Sequence, residues 1–169
     1  MFEIGQYIIY GSTGVCEIED IRDERISGEK KSYYILKPVY ISGSKIYAPV
    51  GVSEVRMRAL ITKDEAMALI DSMPDEETIW IEDDSARKEK YTEIVKGGNR
   101  TELSRMLKTL HRKQKEKLAG GRKFHIADER IMKDGEKILF EELAIVLDIA
   151  PDEVLTFIRE ELEAHRVEA

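Results

Sequence analysis

A change in sequence character near residue 60 constrains the fold of this chain more than any other feature. Before this point, β-branched and aromatic residues fill short runs that are separated by turns containing glycine. The runs cover residues 4–10, 15–21, 33–41 and 45–50, with a further short piece near Val55. Such runs between turn residues are typical of strands, and the turns are too short for helical crossovers, which favours antiparallel pairing. The sequence of residues 1–60 therefore predicts a small β-barrel of the Tudor-like or SH3-like type.

After Leu60 the sequence becomes helical. Thr62 followed by Glu65 forms a capping-box pattern, and Pro74 ends the first helix. Three more helices are predicted from about residue 83 to 97, from 101 to 118 and from 126 to 147, and a fifth begins at Pro151, which suits the first turn of a helix. Residues 61–169 therefore predict an all-α bundle of about five helices, and the fold class is α+β.

The charge of the chain is distributed unevenly. The net charge is −7, yet residues 81–123 carry 13 Lys and Arg against 7 Asp and Glu. Because salt confines the field of each exposed charge to about 10 Å, a basic block inside an acidic protein acts as a local surface. This block predicts contact with an anionic partner.

The third predicted helix provides the clearest candidate surface within the basic block. Leu103, Met106, Leu107 and Leu110 share one face, and at about 100° per residue the cations project roughly opposite to it. The candidate DNA-binding residues are Arg105, Lys108, Arg112 and Lys115 on that face, together with Arg87, Lys88, Lys90, Lys113, Arg122 and Lys123. Phosphate contacts of this kind carry little sequence information. The alternative is a solvated surface helix.

Trp80 is the only tryptophan and lies in an apolar segment, Ile79-Trp80-Ile81, just before the acidic pair Asp83-Asp84. One interpretation is packing in the core or between domains. The other is an aromatic wedge at a strained base step, because proteins that bind the minor groove insert apolar side chains there. Trp80 is therefore retained as a possible wedge.

Residues that could support catalysis or bind a metal are scattered. His111, His125 and His165 are assigned to separate helices and do not form a pattern such as His-Glu-x-x-His. The pairs Gly97-Gly98 and Gly120-Gly121 fit helix ends better than a phosphate-binding loop. The sequence therefore predicts no catalytic residue, no metal site and no cofactor, and the chain is not expected to be an enzyme.

The cellular location is predicted from cysteine content and hydropathy. Cys16 is the only cysteine, so no internal disulfide can form, and the N-terminus lacks a basic start followed by an apolar core. The longest apolar stretch, residues 144–150, contains Asp148 and is far shorter than the roughly 20 residues of a membrane-spanning helix. We expect a cytoplasmic protein that is not bound to a membrane.

The order of several motifs resembles that of the CarD (CdnL) family of bacterial transcription regulators. In the first half these are FEIGQYIIYG at residues 2–11 followed by Gly14-Val15, ISGE at 26–29, YYILK at 33–37 and YAPV at 47–50. In the second half they are EIVKGGN at residues 93–99, RKQ at 112–114 and EELA at 141–144. The same barrel is similar to the polymerase-interacting domain of transcription-repair coupling factors. No single motif is decisive, but their order and spacing cover nearly the whole chain.

The resemblance implies an RNA polymerase-binding barrel at residues 1–60 and a DNA-contacting helical domain at residues 61–169. An edge strand of the barrel would pair with the polymerase β subunit, which places Glu24, Arg25 and Ile26 in the contact, supported by Lys45 and Tyr47. The helical domain would touch promoter DNA at the upstream edge of the bubble and stabilise the open complex. Glu24 and Tyr47 stand where the family has arginines, and its wedge tryptophan corresponds to Ser85.

Three functions therefore remain open. The first is a monomeric transcription regulator that binds RNA polymerase and, weakly and with little sequence preference, promoter DNA. The second is a protein–protein adaptor whose basic helices bind an acidic partner and never reach DNA. The third, a small enzyme, predicts a melting shift that depends on a ligand.

Overall fold

The computed structural model describes residues 1–168, with side chains described as far as His165. The chain forms two compact units that divide between Ile61 and Thr62, here termed the β unit and the helical unit. A five-stranded antiparallel sheet is followed by five α-helices. The predicted α+β fold class, with a β domain ahead of a helical region, is confirmed.

The β unit is one antiparallel sheet. Its strands are β1 (Tyr7–Tyr10), β2 (Gly14–Ile26), β3 (Glu29–Pro38), β4 (Ile46–Pro49) and β5 (Met57–Ala59), in the order β4-β3-β2-β1-β5. β2 extends five residues beyond its predicted end at residue 21, and β3 begins at residue 29 and not at 33. The two strands form a hairpin closed by Ser27 and Gly28, which both adopt positive φ. The strand predicted near Val55 is wrong at that residue, since Ser53–Arg56 form a 3₁₀ helix and β5 begins after it.

The core of the β unit comes from the alternation of side chains along its strands. Neighbouring residues of a strand point to opposite faces of a sheet, so alternate positions are collected on one side. The buried members are Ile8, Tyr10, Cys16, Ile18, Tyr34, Leu36, Ala48 and Met57. Cys16 thus has the role of a small buried side chain, and the Tyr34 hydroxyl donates to Glu54 Oε1 at 2.5 Å.

The helical unit contains α1 (Lys63–Ser72), α2 (Asp84–Gly97), α3 (Arg100–Ala119), α4 (Ile126–Leu147) and α5 (Val154–Glu168). The predicted capping box at the start of α1 is present, because Thr62 and Glu65 each accept a hydrogen bond from the other's backbone N–H. α2 ends at Gly97 and is capped by Gly98, whose φ of 65° is a left-handed conformation that glycine adopts readily. Pro151 begins a 3₁₀ turn, and α5 follows it at Val154.

The packing of α3 against α4 organises the core of the helical unit. Leu103, Met106, Leu107 and Leu110 are all buried, as the predicted apolar face requires. Gly135 of α4 allows a close approach, since a Cβ added there would lie 2.9 Å from Met106 Cε. Within residues 1–168, no helix has the length and apolar content needed to cross a membrane.

Candidate functional sites

The hairpin of β2 and β3 leaves one long backbone edge without a partner strand. β1 pairs with β2 only as far as Glu17, whereas β3 follows β2 to the pair Ile26 and Glu29. Past Ile18 the ladder shifts its register, and from residue 20 to 26 no strand of residues 1–168 lies on the other side of β2. An unpaired edge of this kind presents N–H and C=O groups that a strand from another chain can use.

The predicted polymerase-binding residues Glu24, Arg25 and Ile26 lie on this free edge of β2. Arg25 is exposed, and Ile26 exposes 42% of its surface although it is an aliphatic residue. An exposed isoleucine at the end of an unpaired strand supplies apolar contact beside the backbone groups. The edge therefore has the geometry for strand addition.

Arg22 links this segment to β4, and sequence reasoning missed it. Its Nε lies 2.9 Å from Glu24 Oε1, and its Nη2 donates to the Tyr47 hydroxyl at 3.4 Å. Tyr47 in turn packs edge-on against Tyr33, with ring centroids 6.4 Å apart. The available signal was the period-two spacing of Asp20, Arg22 and Glu24, which places three charges on one face of a strand.

Lys45 is placed differently from Tyr47. Its Nζ lies 3.2 Å from Glu19 Oε2, at the irregularity in β2 that precedes residue 20. Glu24 and Tyr47 are thus brought together through Arg22, whereas Lys45 pairs with the part of β2 that lies before the free edge.

In the helical unit, Trp80 is surrounded by cations. The guanidinium carbon of Arg87 lies 4.3 Å from the ring centroid, and Lys113 Nζ and Lys117 Nζ lie 4.7 and 6.0 Å from it. These four residues are termed the Trp80 cluster. The ring is half-buried, and cations over an indole face are attracted by its quadrupole. The cluster places Lys113 and Lys117 of α3 beside the start of α2.

The Trp80 cluster is held in place by its neighbours in the chain. The N–H of Ile79 donates to Thr109 Oγ1 at 2.9 Å, and the Tyr91 hydroxyl donates to the carbonyl of Ile79. Burial raises the pKa of Tyr91 to about 12, so this hydroxyl remains a donor at physiological pH. Trp80 is therefore fixed between α2 and α3 and does not project freely.

Arg87 is buried, and its assignment as a DNA-binding residue is wrong. Only 2% of its surface is exposed, and its Nε and Nη2 donate to the two carboxylate oxygens of Asp128 at 2.9 Å each. Its Nη1 donates to the carbonyl of Ile81 at 2.9 Å, and Asp84 accepts from Nη2 at 2.7 Å. All three nitrogens are thus engaged within the helical unit, so the side chain stabilises the fold and supports Trp80.

Lys108 also has a structural role, which corrects its place in the predicted row of phosphate contacts. Its Nζ donates to the backbone carbonyls of Met73, Pro74 and Glu76 at 2.9, 2.9 and 2.6 Å. Burial, with the nearby charge of Arg112 as a second cause, lowers the pKa of Lys108. The ammonium therefore stabilises the turn that follows α1. Arg105, one turn earlier, is half-buried.

The remaining cations of α3 divide into two groups that face different directions. At about 100° per residue, the pair Arg112 and Lys115 lies about 150° around the helix from the pair Lys113 and Lys117. Lys113 and Lys117 approach Trp80, whereas Arg112 and Lys115 line a groove that also contains residues of α5. The exposed candidates outside α3 are Lys88, Lys90, Arg122 and Lys123.

The start of α2 and the end of α3 share an electrostatic environment. The hydrogen bond from Arg87 and its charge, and more weakly the charges of His125 and Lys117, hold the pKa of Asp84 below its usual value. Lys117 and His125 therefore lie within electrostatic range of α2, with the α3–α4 loop that carries Arg122 and Lys123 between them in sequence. Lys113 and Lys117 beside Trp80, with the exposed Arg122 and Lys123 of the loop that follows α3, are the candidate anion-binding residues.

The structure also brings together three side chains that the sequence did not connect. His165 Nδ1 lies 3.5 Å from Asp71 Oδ1, and its Nε2 lies 3.0 Å from Glu161 Oε1. One potential metal-binding atom from each of these residues lies within 4.8 Å of the others. Both imidazole nitrogens face a carboxylate, so the arrangement is an ion-pair cluster that joins α5 to α1 when His165 is protonated.

Comparison with known families matches one part of the chain. Residues 2–61 match the family model for the CarD-like/TRCF RID domain. The match covers nearly all of the β unit and ends where the helical unit begins. No curated protein matches the chain significantly.

Proposed function

We propose that the chain is a transcription regulator that anchors to RNA polymerase through the β unit, since residues 2–61 match the model of the CarD-like/TRCF RID family, a domain of the kind that interacts with RNA polymerase. The free edge of β2 between residues 20 and 26 is the observation that carries the proposal. A strand of the polymerase β subunit pairs with this edge, and the exposed side chain of Ile26 packs against it. Main-chain hydrogen bonds supply most of the affinity in strand addition.

Binding of the full-length chain to the N-terminal lobe of the polymerase β subunit tests this anchor, with calorimetry as the measurement. We expect saturable binding that Ile26→Glu abolishes, because a carboxylate at that position meets an apolar contact. Val55→Glu is the matched control, since Val55 is 87% exposed and lies in the 3₁₀ helix before β5. Binding that is equally strong in wild type and Ile26→Glu would remove the edge of β2 from the proposal.

The helical unit is the proposed DNA contact. The proposed contact residues are Lys113 and Lys117 beside Trp80 and the exposed Lys88, Lys90, Arg122 and Lys123, and Arg87 is excluded by its burial. These residues neutralise only a few phosphates, so the free affinity for DNA is weak and depends on salt. Tethering to polymerase raises the effective concentration of promoter DNA. The helical unit then lies at the upstream edge of the bubble and stabilises the open complex, and the chain needs no catalytic activity.

Open-complex lifetime after challenge with a competitor tests the DNA contact. The double variant Arg122→Glu with Lys123→Glu is expected to shorten the lifetime severalfold while binding to the β subunit is unchanged. Lys133→Glu with Lys137→Glu makes the same change of charge on exposed residues of α4 and is expected to have no effect. Equal lifetimes for both double variants would disprove a contact through the α3–α4 loop.

The competing function is an adaptor in which the same basic residues bind an acidic protein. Footprinting of promoter DNA with polymerase present distinguishes the two. A regulator that contacts DNA extends or alters the footprint upstream of the bubble, whereas an adaptor leaves the pattern of polymerase alone. Lys113 and Lys117 lie side by side at the Trp80 ring, which favours a nucleic-acid partner because neighbouring cations can neutralise backbone phosphates.

A further inference from the structure

The helical unit contains an open groove that the proposed DNA contact does not use. Its volume is about 1000 Å³, and it lies among residues of α3, α4 and α5, with the end of α1 beside it. The apolar side chains that line it include Leu107, Leu118, Leu139, Phe140, Leu155 and Leu162. Pockets for small ligands usually measure about 300–1000 Å³, so this groove is at the upper limit for a compact molecule.

The apolar lining follows helical spacing on two different helices. On α3, Leu107 and Leu118 are separated by eleven positions, or three turns, with His111 and Gln114 between them on the same face. On α5, Leu155, Ile158 and Leu162 follow the i, i+3, i+7 pattern. Leu118 exposes 62% of its surface. Two apolar helix faces that border one groove offer the surface against which a further helix packs.

The charges at the margin of the groove are not symmetrical. α3 contributes Lys108, Arg112 and Lys115 to the lining and no acidic residue. Lys108 is engaged with backbone carbonyls, but Arg112 and Lys115 are exposed. The turn after α1 adds Asp75 near Lys108. On the opposite margin acidic and basic groups are mixed, since Asp71 and Glu163 accompany Arg159 and His165. An occupant of the groove therefore gains most from carboxylates along the flank that faces α3.

From this geometry we propose that the groove binds an amphipathic helix of a partner protein, whose apolar side fills the groove and whose acidic flank meets Arg112 and Lys115. The length of the groove along three turns of α3 matches a helix rather than a single side chain. The charge of the α3 margin fixes the direction in which the acidic flank points. This interaction is independent of the basic residues around Trp80, and it gives the chain a third partner in addition to the polymerase and DNA.

A designed peptide serves as the probe. It is about 16 residues long, because shorter isolated helices are marginal in water, and it carries leucines at i, i+4, i+7 and i+11 with glutamates along one flank. A second peptide has lysines in place of the glutamates. Fluorescence anisotropy with the full-length chain is expected to show saturable binding of the glutamate peptide, at least about 10-fold tighter than that of the lysine peptide. The overall charge of the chain, −7, favours the lysine peptide non-specifically. A preference for the glutamate peptide therefore reports the local charge of the α3 margin.

Charge reversal provides the decisive comparison. Arg112→Glu with Lys115→Glu is expected to invert the preference between the two peptides, and Leu162→Glu is expected to weaken both. Lys133→Glu with Lys137→Glu on α4, where neither residue lines the groove, makes the matched change of charge and should leave the preference unaltered. Thermal unfolding of each variant verifies that the helical unit is intact.

Two outcomes overturn the proposal. One is the absence of saturable binding of the glutamate peptide to the wild-type chain, and the other is an unchanged preference after charge reversal in a folded variant. Binding of dodecanoate without binding of either peptide would assign the groove to an acyl ligand and reject the helix. None of these results bears on the anchor at β2, which the polymerase β subunit tests separately.

Discussion

The guanidinium of Arg87 donates two hydrogen bonds of 2.9 Å to the carboxylate of Asp128, and each of the two side chains is only 2% exposed. This pair joins α2 to α4 across 41 positions of sequence. The same guanidinium lies 4.3 Å from the centre of the Trp80 ring. The most basic part of the chain thus contains an arginine whose role is structural. Replacing Arg87 is expected to lower the stability of the helical unit, whatever its effect on the binding of a partner.

Replacement of one member of the pair is expected to destabilise the helical unit strongly. Arg87→Ala leaves the Asp128 carboxylate buried without its partner, and such changes cost about 3–5 kcal/mol. Urea unfolding followed by Trp80 fluorescence measures the effect and also reports the loss of the cation from the ring. Lys88→Ala is the control, since Lys88 is exposed on the same helix and should change the unfolding free energy by less than about 0.5 kcal/mol.

Lys108 and Arg112 are expected to differ in how much each side chain contributes to the stability of the helical unit. Lys108→Ala removes the donor for three backbone carbonyls, and the expected loss of unfolding free energy is about 1–3 kcal/mol. Arg112→Ala, one turn later, removes an exposed side chain and should be nearly neutral. Urea titration of both variants makes the comparison. Equal stability of the two would mean that the bonds to Met73, Pro74 and Glu76 contribute nothing.

Sequence reasoning succeeded where local signals determine the structure. The capping box at Thr62 and the apolar face of α3 depend on residues within two or three turns of each other, and both are present. It failed for Arg87 and Lys108, because burial of a cation depends on partners that only the tertiary fold brings near. Asp128 lies 41 positions from Arg87, and the carbonyls that Lys108 binds lie 32–35 positions away.

The sequence could not place the free edge of β2 either. The residues of the edge were selected through the family resemblance, but the length of the β2–β3 hairpin depends on how far the two strands remain paired. Charged residues such as Asp23 and Lys30 have low strand propensity, and they still form the ladder because it lies at the exposed end of the sheet.

The buried Glu141 of α4 is expected to make the stability of the helical unit depend on pH. Burial raises the pKa of Glu141 above its ordinary value of 4.5. A raised pKa means that the folded state binds the proton more tightly than the unfolded state does. The charged form of Glu141 therefore lowers the free energy of unfolding as pH rises from the unfolded pKa through the folded pKa. Below the unfolded pKa this destabilisation is absent. Glu141→Gln should therefore be more stable than wild type at neutral pH, and the difference should vanish near about pH 4.

Glu142 provides the matched control for Glu141. Its two carboxylate oxygens accept from Arg100 Nε and Nη2 at 2.6 Å each, and it is 1% exposed. Glu142→Gln removes the charge from this pair and should destabilise the fold at neutral pH by about 1–3 kcal/mol. Urea unfolding of both variants at neutral and acidic pH compares them. A destabilised Glu141→Gln at neutral pH would contradict the direction inferred from burial.

Proline substitution along β2 is expected to test the mode of polymerase binding at single-residue resolution. The N–H and C=O groups of successive residues in a strand point to opposite sides. The Ser32 carbonyl accepts from Val50 N–H, so the backbone groups of Ser32 point to β4 and those of Tyr33 point to β2. Tyr33 is paired with Arg22, so the backbone groups of Arg22 point to β3. Glu24 then also faces β3, and the backbone groups of Asp23 and Arg25 point to the free edge.

Arg25→Pro therefore removes an outward N–H without breaking the ladder, and proline is tolerated on edge strands for this reason. We expect this variant to lose binding to the polymerase β subunit by at least about 10-fold, with little change in unfolding free energy. Glu24→Pro instead removes a donor to β3 and should destabilise the β unit by about 1–3 kcal/mol. Arg25→Ala isolates the side chain, and it should bind nearly as well as wild type, because backbone pairing supplies the affinity. If Arg25→Ala lost as much binding as Arg25→Pro, the contact would depend on the guanidinium, and the free edge of β2 would not act by strand addition.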